Sequence, residues 1–347
     1  MITRGVAPNR ETQDPPLALT ASSRAATSMQ VIRESRRILA EKGRTFRLAS
    51  LLLPRDARDD AAVVYAFCRQ ADDIVDEGDD VSSSRLGLAR LRVELRGEVA
   101  PTPLVSAFLD VCTRRGIPLE AAEHLLNGLE RDLEPVLALD DDRALLRYAY
   151  EVAGTVGLMM ARLLGAHDED AMAHAIDLGI AMQLTNICRD VVEDAGRRRT
   201  YVPQSRLRAA GLSAQALLDD VGRADAGGEL ARQGVFPVIA DLLELAERYY
   251  GSGIAGMPYL PLRARRTILA AGTMYRAIGS VVLEAGPSKM RERAVVGPLS
   301  KLRYLVRACW HASRLPTRPH DHRLHGHLAG LPGCRSTEAL APHEKLR

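Results

Sequence analysis

Between Gln183 and Asp194 the chain reads Gln-Leu-Thr-Asn-Ile-Cys-Arg-Asp-Val-Val-Glu-Asp. Written on a helix, Gln183, Asn186, Asp190 and Asp194 fall at spacings of three, four and four, in one line down one face. Ile180, Ala181, Leu184, Ile187, Val191 and Val192 occupy the other faces. A surface helix carries an apolar stripe on a polar body. Here a narrow polar stripe runs down an apolar body, so the helix belongs in the interior with its stripe facing a cavity. Two carboxylates buried one turn apart need a cation to neutralise them. A few carboxylates plus the neutral oxygens of Asn186 and Gln183 suit a hard ion that keeps water and phosphate ligands, which is Mg²⁺ (or Mn²⁺) rather than Ca²⁺. Taken alone, an i, i+4 acidic pair is more often just a solvated helix end.

A second line of the same build changes that balance. In Tyr65-Ala-Phe-Cys-Arg-Gln-Ala-Asp-Asp-Ile-Val-Asp-Glu77, the residues Tyr65, Arg69, Asp72 and Asp76 share one helical face. Two such lines, more than a hundred residues apart, imply helices facing each other across one pseudo-symmetric site. The rest of the chain reads as helix too. Hydrophobic content is 46% with only 4% aromatics, rich in Ala and Leu, and nothing reads as a strand. The expected fold class is all-α, a helical bundle around a central apolar cavity.

Residues 1–28 are expected to be disordered, 29–314 to form one catalytic domain, and 315–347, rich in Pro, Gly and His, to be a disordered tail. His320, His322, His325 and His327 are given an incidental role there. Gly154 and Gly157, inside a helix from about Asp142 to Leu164, point to close packing, a kink or a widening beside a bulky ligand. The run Ala195-Gly-Arg-Arg-Arg is read as a mobile basic loop able to close over a metal–phosphate cluster, and Gly227-Gly228 as a helix break.

Several function classes fall away. A net charge of +3 on 347 residues gives no nucleic-acid footprint. Cys68, Cys112, Cys188, Cys309 and Cys334 have no metal-type spacing and read as free thiols of a cytosolic protein. No signal-peptide core or uninterrupted bilayer-spanning run is present, so the expected location is cytoplasmic, with any membrane touched peripherally at its inner face. No Gly-x-Gly-x-x-Gly or Walker-type loop occurs, so no nicotinamide or nucleotide cofactor is expected. Two acidic lines with several Mg²⁺ ions make a receptor for diphosphate, with Arg44, Arg47, Arg69 and Arg189 available for charge-assisted hydrogen bonds. Departure of diphosphate from an allylic carbon leaves a carbocation. It needs a dry apolar cavity and aromatic rings, for which Tyr65, Tyr148 and Tyr275 are candidates.

Tyr65–Glu77, Tyr150-Glu-Val-Ala-Gly-Thr-Val-Gly157 and Gln183–Asp194 together resemble the signatures of the phytoene/squalene synthases, over about residues 30–310. The resemblance implies an isoprenoid-synthase fold and head-to-head condensation of two prenyl diphosphates through a cyclopropylcarbinyl diphosphate. It implies that Asp72, Asp76, Asp190 and Asp194, with Asn186 and Gln183, hold the Mg²⁺–diphosphate clusters. Arg44, Thr45, Arg69, Arg189, Tyr275 and Arg293 are implied as diphosphate contacts, Tyr148 as a neighbour of the reacting carbons, and Phe46, Ala153 and Gly157 as tunnel lining. The chain departs from the family pattern at Cys188 (Leu), at Val192 (Gly) and in its basic loop, where the family reads Ala-Arg-Arg-Gly-Arg. The wording of Tyr65–Glu77 and Ala153–Gly157 is most similar to the bacterial phytoene synthases, which implies geranylgeranyl diphosphate as substrate and membrane contact through its lipid product. Small side chains at Ser50 and Ala62 are expected to leave room for a twenty-carbon chain. The rivals are a squalene or dehydrosqualene synthase using farnesyl diphosphate, a chain-elongating prenyltransferase or terpene cyclase, and a non-catalytic scaffold that binds divalent ions. Oligomeric state is not legible.

Overall fold

Proline, glycine and capping residues divide the chain into helices, as the computed structural model, describing residues 21–134 and 137–335, shows. In order these are α1 (Ala21–Lys42), α2 (Arg44–Ser50), α3 (Arg55–Asp76), α4 (Val81–Leu95), α5 (Pro103–Arg115), α6 (Leu119–Arg131), α7 (Asp142–Ala149) and α8 (Thr155–Leu163). There follow α9 (Glu169–Gly196), α10 (Gln204–Ala209), α11 (Ala214–Asp220), α12 (Ala226–Ala255), α13 (Leu262–Ala285) and α14 (Pro298–His311). Pro54 precedes α3 and Asp168 caps α9 through its side chain. Gly116 ends α5 in the left-handed conformation that a C-terminal cap favours.

α9 is the hub. Ile180, Ala181, Leu184, Ile187 and Val191 are all buried, and α9 packs against α8, α12 and α13. Its fit to the α7–α8 segment rests on two backbone approaches. A Cβ on Gly157 would come within 2.1 Å of the Ala175 carbonyl oxygen, and one on Gly179 within 2.2 Å of that of Ala153. Between α7 and α8 the chain runs through a π-helical turn, Tyr150–Gly154. The widening expected around Gly154 is real, and such turns often mark functional sites. α13 is long and apolar enough to cross a membrane by length and composition, yet it packs against α9, α12 and α14.

Four expectations need correction. α1 begins at Ala21, inside the stretch read as disordered, because Ala-Ser-Ser-Arg-Ala-Ala simply extends it; residues 1–20 lie outside the described residues. Gly227-Gly228 does not break a helix: Asp225 caps α12 by accepting from the Gly228 N–H, and a Cβ on Gly228 would strike the Arg223 carbonyl at 2.1 Å. A two-residue parallel pairing exists, β1 (Leu137–Ala138) with β2 (Arg199–Thr200), and it ties the basic loop to the segment after α6.

The tail, finally, is a packed strap as far as residue 335, and 336–347 lie outside the described residues. Tyr249 donates to the Leu324 carbonyl at 3.0 Å and Tyr150 to that of Pro332 at 2.8 Å. Asp177 on α9, fully buried, accepts from His320 Nε2 and His325 Nε2, both at 2.8 Å. Leu328 and Cys334 are buried beneath the strap. A polar, His-rich stretch packs here because a buried carboxylate waits for its imidazoles. That partner is invisible in local composition.

Candidate active site

An apolar cavity of about 260 Å³ runs beside α9. Its walls include Phe46 from α2, Ala153 and Gly157 from the π turn and α8, Met182 from α9, and Ile268 and Tyr275 from α13. It follows α9 from Asn186 down to Ala171, and that span is about 22 Å at 1.5 Å rise per residue. Its polar end is formed by Gln183, Asn186 and Tyr275. Phe46 packs on Tyr275 with ring centroids 5.5 Å apart, and on Tyr65 at 6.3 Å. The two aspartates of α9 continue from Asn186 at one-turn intervals, beyond the polar end.

Both acidic lines share one guanidinium. Arg199, placed by β2, donates to Asp76 Oδ1 at 3.1 Å. It also lies close enough to Asp72 and Asp194 to favour their charged forms. Arg197 stands 3.9 Å from Asp76 Oδ2. The basic loop is therefore anchored between the two lines, with Arg198 turning the chain at φ 60°, a left-handed conformation. In the family pattern that position is Gly, which adopts it without the roughly 1–2 kcal/mol that a side chain costs.

Electrostatics indicate that the carboxylates are under-compensated. Burial, reinforced by Asp76, pushes the Asp72 carboxyl up to about 6; burial and Asp190 push Asp194 up to about 7. The amide oxygen of Asn186 is buried without a hydrogen-bond partner among the described residues, while its nitrogen donates to Gln183 Oε1 at 3.4 Å. An orphaned oxygen one turn from a carboxylate pair is the donor set of a hard divalent ion, so these residues fit Mg²⁺.

The other implied residues divide. Arg189 donates from Nε to Asp190 Oδ1 at 2.7 Å, and Arg293 reaches to 3.8 Å of the same oxygen. Tyr275 is raised above the ordinary phenol value by burial, with Arg189 and Asp190 beside it. Arg44 and Thr45 open α2, but their side chains lie outside the described residues. Arg69 donates to Asp72 at 3.0 Å and pairs with Asp73, facing a groove of α1, α3 and α4 rather than the cavity. Ser50 and Ala62, expected to shape the tunnel, do not line it: Ser50 donates back to the Arg47 carbonyl at 2.8 Å, and Ala62 is buried. Tyr148 does not line it either. Its hydroxyl donates to Asp132 at 3.1 Å, and its ring stacks on Tyr201 with centroids 4.9 Å apart.

Asp132, Tyr201 and Arg199 are what sequence reasoning missed. Tyr201 also donates to Asp132, at 3.0 Å, and burial pushes the Asp132 carboxyl up to about 7. The positive charge of Arg199 works against that rise. The only advance signal was the basic loop's place directly after the second acidic line. His174 was overlooked as well; it lines the cavity about three turns below Asn186.

The squalene/phytoene synthase profile matches residues 39–300, three quarters of the chain. The chain belongs to the squalene/phytoene synthase family. Among its relatives is a 15-cis-phytoene synthase of Paracoccus sp., 35% identical over 306 residues, covering 81% of this chain and 96% of the relative. A phytoene synthase of Thermus thermophilus is 38% identical over 287 residues, 82% and 93% of the two chains. The fold is shared with a crystallised dehydrosqualene synthase at TM-score 0.72 and 24% identity, covering 84% of this chain and 99% of that one. As a squalene/phytoene synthase the chain is a prenyltransferase-type enzyme with an isoprenoid-synthase-type fold. The strap beyond residue 314 lies outside the matched profile.

Proposed function

We infer that this enzyme condenses two geranylgeranyl diphosphates head to head into phytoene, a step of carotenoid biosynthesis. The observation that carries the reading over its squalene rival is identity of 33–38% to several curated phytoene synthases across most of both chains. Asp72, Asp76, Asp190, Asp194 and Asn186 would hold Mg²⁺, or Mn²⁺ in its place. The bound ions neutralise the diphosphate and make it a better leaving group. Arg189, Arg293 and Tyr275 stand at the polar end, where they orient the diphosphate oxygens. Arg199, fixed by β2, keeps cationic charge between the two acidic lines. The apolar wall, with Met160, Met182, Leu178 and Ile268, excludes water from the allylic cation that forms as diphosphate leaves.

The reaction balances without a reductant. The first donor loses diphosphate, and the second donor's double bond attacks. Proton loss then closes the cyclopropylcarbinyl diphosphate. Its ionisation, rearrangement and a second proton loss give the hydrocarbon. The squalene route would instead end by hydride capture. In this reading the enzyme is cytoplasmic and meets its substrate and product at the inner face of the membrane.

The test is product identification. Incubated with Mg²⁺ and geranylgeranyl diphosphate, without NADPH, the enzyme should yield phytoene. A thirty-carbon product from farnesyl diphosphate, with no turnover of the twenty-carbon donor, would reject the assignment.

A further inference from the structure

α14 carries an apolar face that the reaction leaves unused. Leu299, Leu302, Val306 and Trp310 stand at i, i+3, i+7 and i+11, one line down one side. They are 83%, 56%, 63% and 63% exposed, and Val295, just before the helix, is exposed too. The opposite side, with Leu305 and the buried Ala308, packs toward α13. Single exposed leucines are ordinary; a continuous line of four large apolar side chains is an interaction surface.

Charge selects the partner. From Arg293 to His320 the chain has six fixed cations, Arg293, Lys301, Arg303, Arg307, Arg314 and Arg318, and no Asp or Glu. Arg303 and Arg307 border the apolar line and share its shallow groove. The Arg314 guanidinium lies over the Trp310 ring, 4.7 Å from its centroid. An apolar stripe with a basic rim and a tryptophan at one end is the build of a helix that lies in the headgroup region of an anionic bilayer. A second copy fits less well, because a two-fold contact sets this basic rim against itself.

We propose that α14 seats the enzyme on an anionic lipid surface, its apolar line sunk among the acyl chains and Arg303 and Arg307 among the headgroups. The purpose of the anchor rests on the proposed function, since an amphiphilic substrate must arrive and a hydrocarbon must leave. The binding itself does not. α13, on which α14 packs, lines the prenyl cavity through Ile268, Ala271 and Tyr275, so a seated α14 brings that cavity close to the bilayer.

Trp310 is the chain's single tryptophan, so tryptophan emission, excited selectively over the tyrosines, reports on this helix alone. The full-length chain is mixed with vesicles of phosphatidylcholine, with and without phosphatidylglycerol. The expected result is a blue shift, quenching by brominated acyl chains and co-sedimentation with the anionic vesicles, all weakened by salt. Arg303→Ala with Arg307→Ala should lower partitioning roughly tenfold or more. Leu302→Glu with Val306→Glu should abolish it, while the circular dichroism and the turnover of detergent-dispersed substrate stay unchanged. No shift with anionic vesicles overturns the proposal. So does a wild-type dimer that Leu302→Glu makes monomeric without any vesicle binding. Vesicle binding by a chain that makes no phytoene would leave the anchor standing and sink only the activity.

Discussion

Asp194 is a carboxyl group whose burial costs more than its neighbours return. Its pKa rises from 3.8 to about 7, and that of Asp72 to about 6, with burial the first cause of both. For an acid raised in the fold, the native state binds more protons than the unfolded chain between the two values. Stability from this source therefore falls as pH climbs from about 4 to about 7. His174, lowered by burial, works in the opposite sense, so the comparison must isolate one group. In metal-free buffer, Asp194→Asn should gain thermal stability over the parent, by a margin that widens from pH 5 to pH 7.5. A margin independent of pH would show that Asp194 is not strained in the fold. The acidic lines were legible because their spacing is local and needs only helical geometry. The setting of Tyr148 was not legible, because Asp132 lies sixteen residues before it and Tyr201 fifty-three after it, on the far side of the basic loop.

Among the elements, α9 was legible as an internal helix, since a polar stripe on an apolar body fits no other place. Proline chemistry accounts for the limits at Pro54, just before α3, and at Pro298, the first residue of α14. Gly227-Gly228 misled, because glycine there serves close approach and an N-terminal cap rather than a break. The strap misled more. Its composition is that of a solvated tail, and the partners that explain its packing, the Asp177 carboxylate first among them, lie some hundred and forty residues earlier or are scattered over other helices. Burial alone would push Asp177 up, but the hydrogen bonds from His320 and His325 outweigh it and hold the group below the usual carboxylate range. Stability from this latch is thus present above that range and lost as pH falls through it. Asp177→Asn leaves one imidazole without its acceptor. It should cost about 3 kcal/mol or more in urea denaturation and speed tryptic cleavage at Arg323. An unchanged midpoint and unchanged cleavage would mean that the strap is held by its tyrosine contacts alone.

The molecule as a whole places three functions along one direction. An apolar cavity follows α9, its polar end opens at Asn186 and Tyr275, and two aspartate pairs joined through Arg199 stand beyond it. The pseudo-symmetry of the acidic lines was visible in the sequence. The cation between them was not, because a two-residue β pairing sets its position. The most direct measurement is anomalous diffraction from crystals soaked with Mn²⁺ and diphosphate. Manganese peaks should lie against Asp72 and Asp76 and also against Asn186, Asp190 and Asp194, around a single diphosphate. Ions confined to one pair, or diphosphate bound away from both, would contradict a shared site.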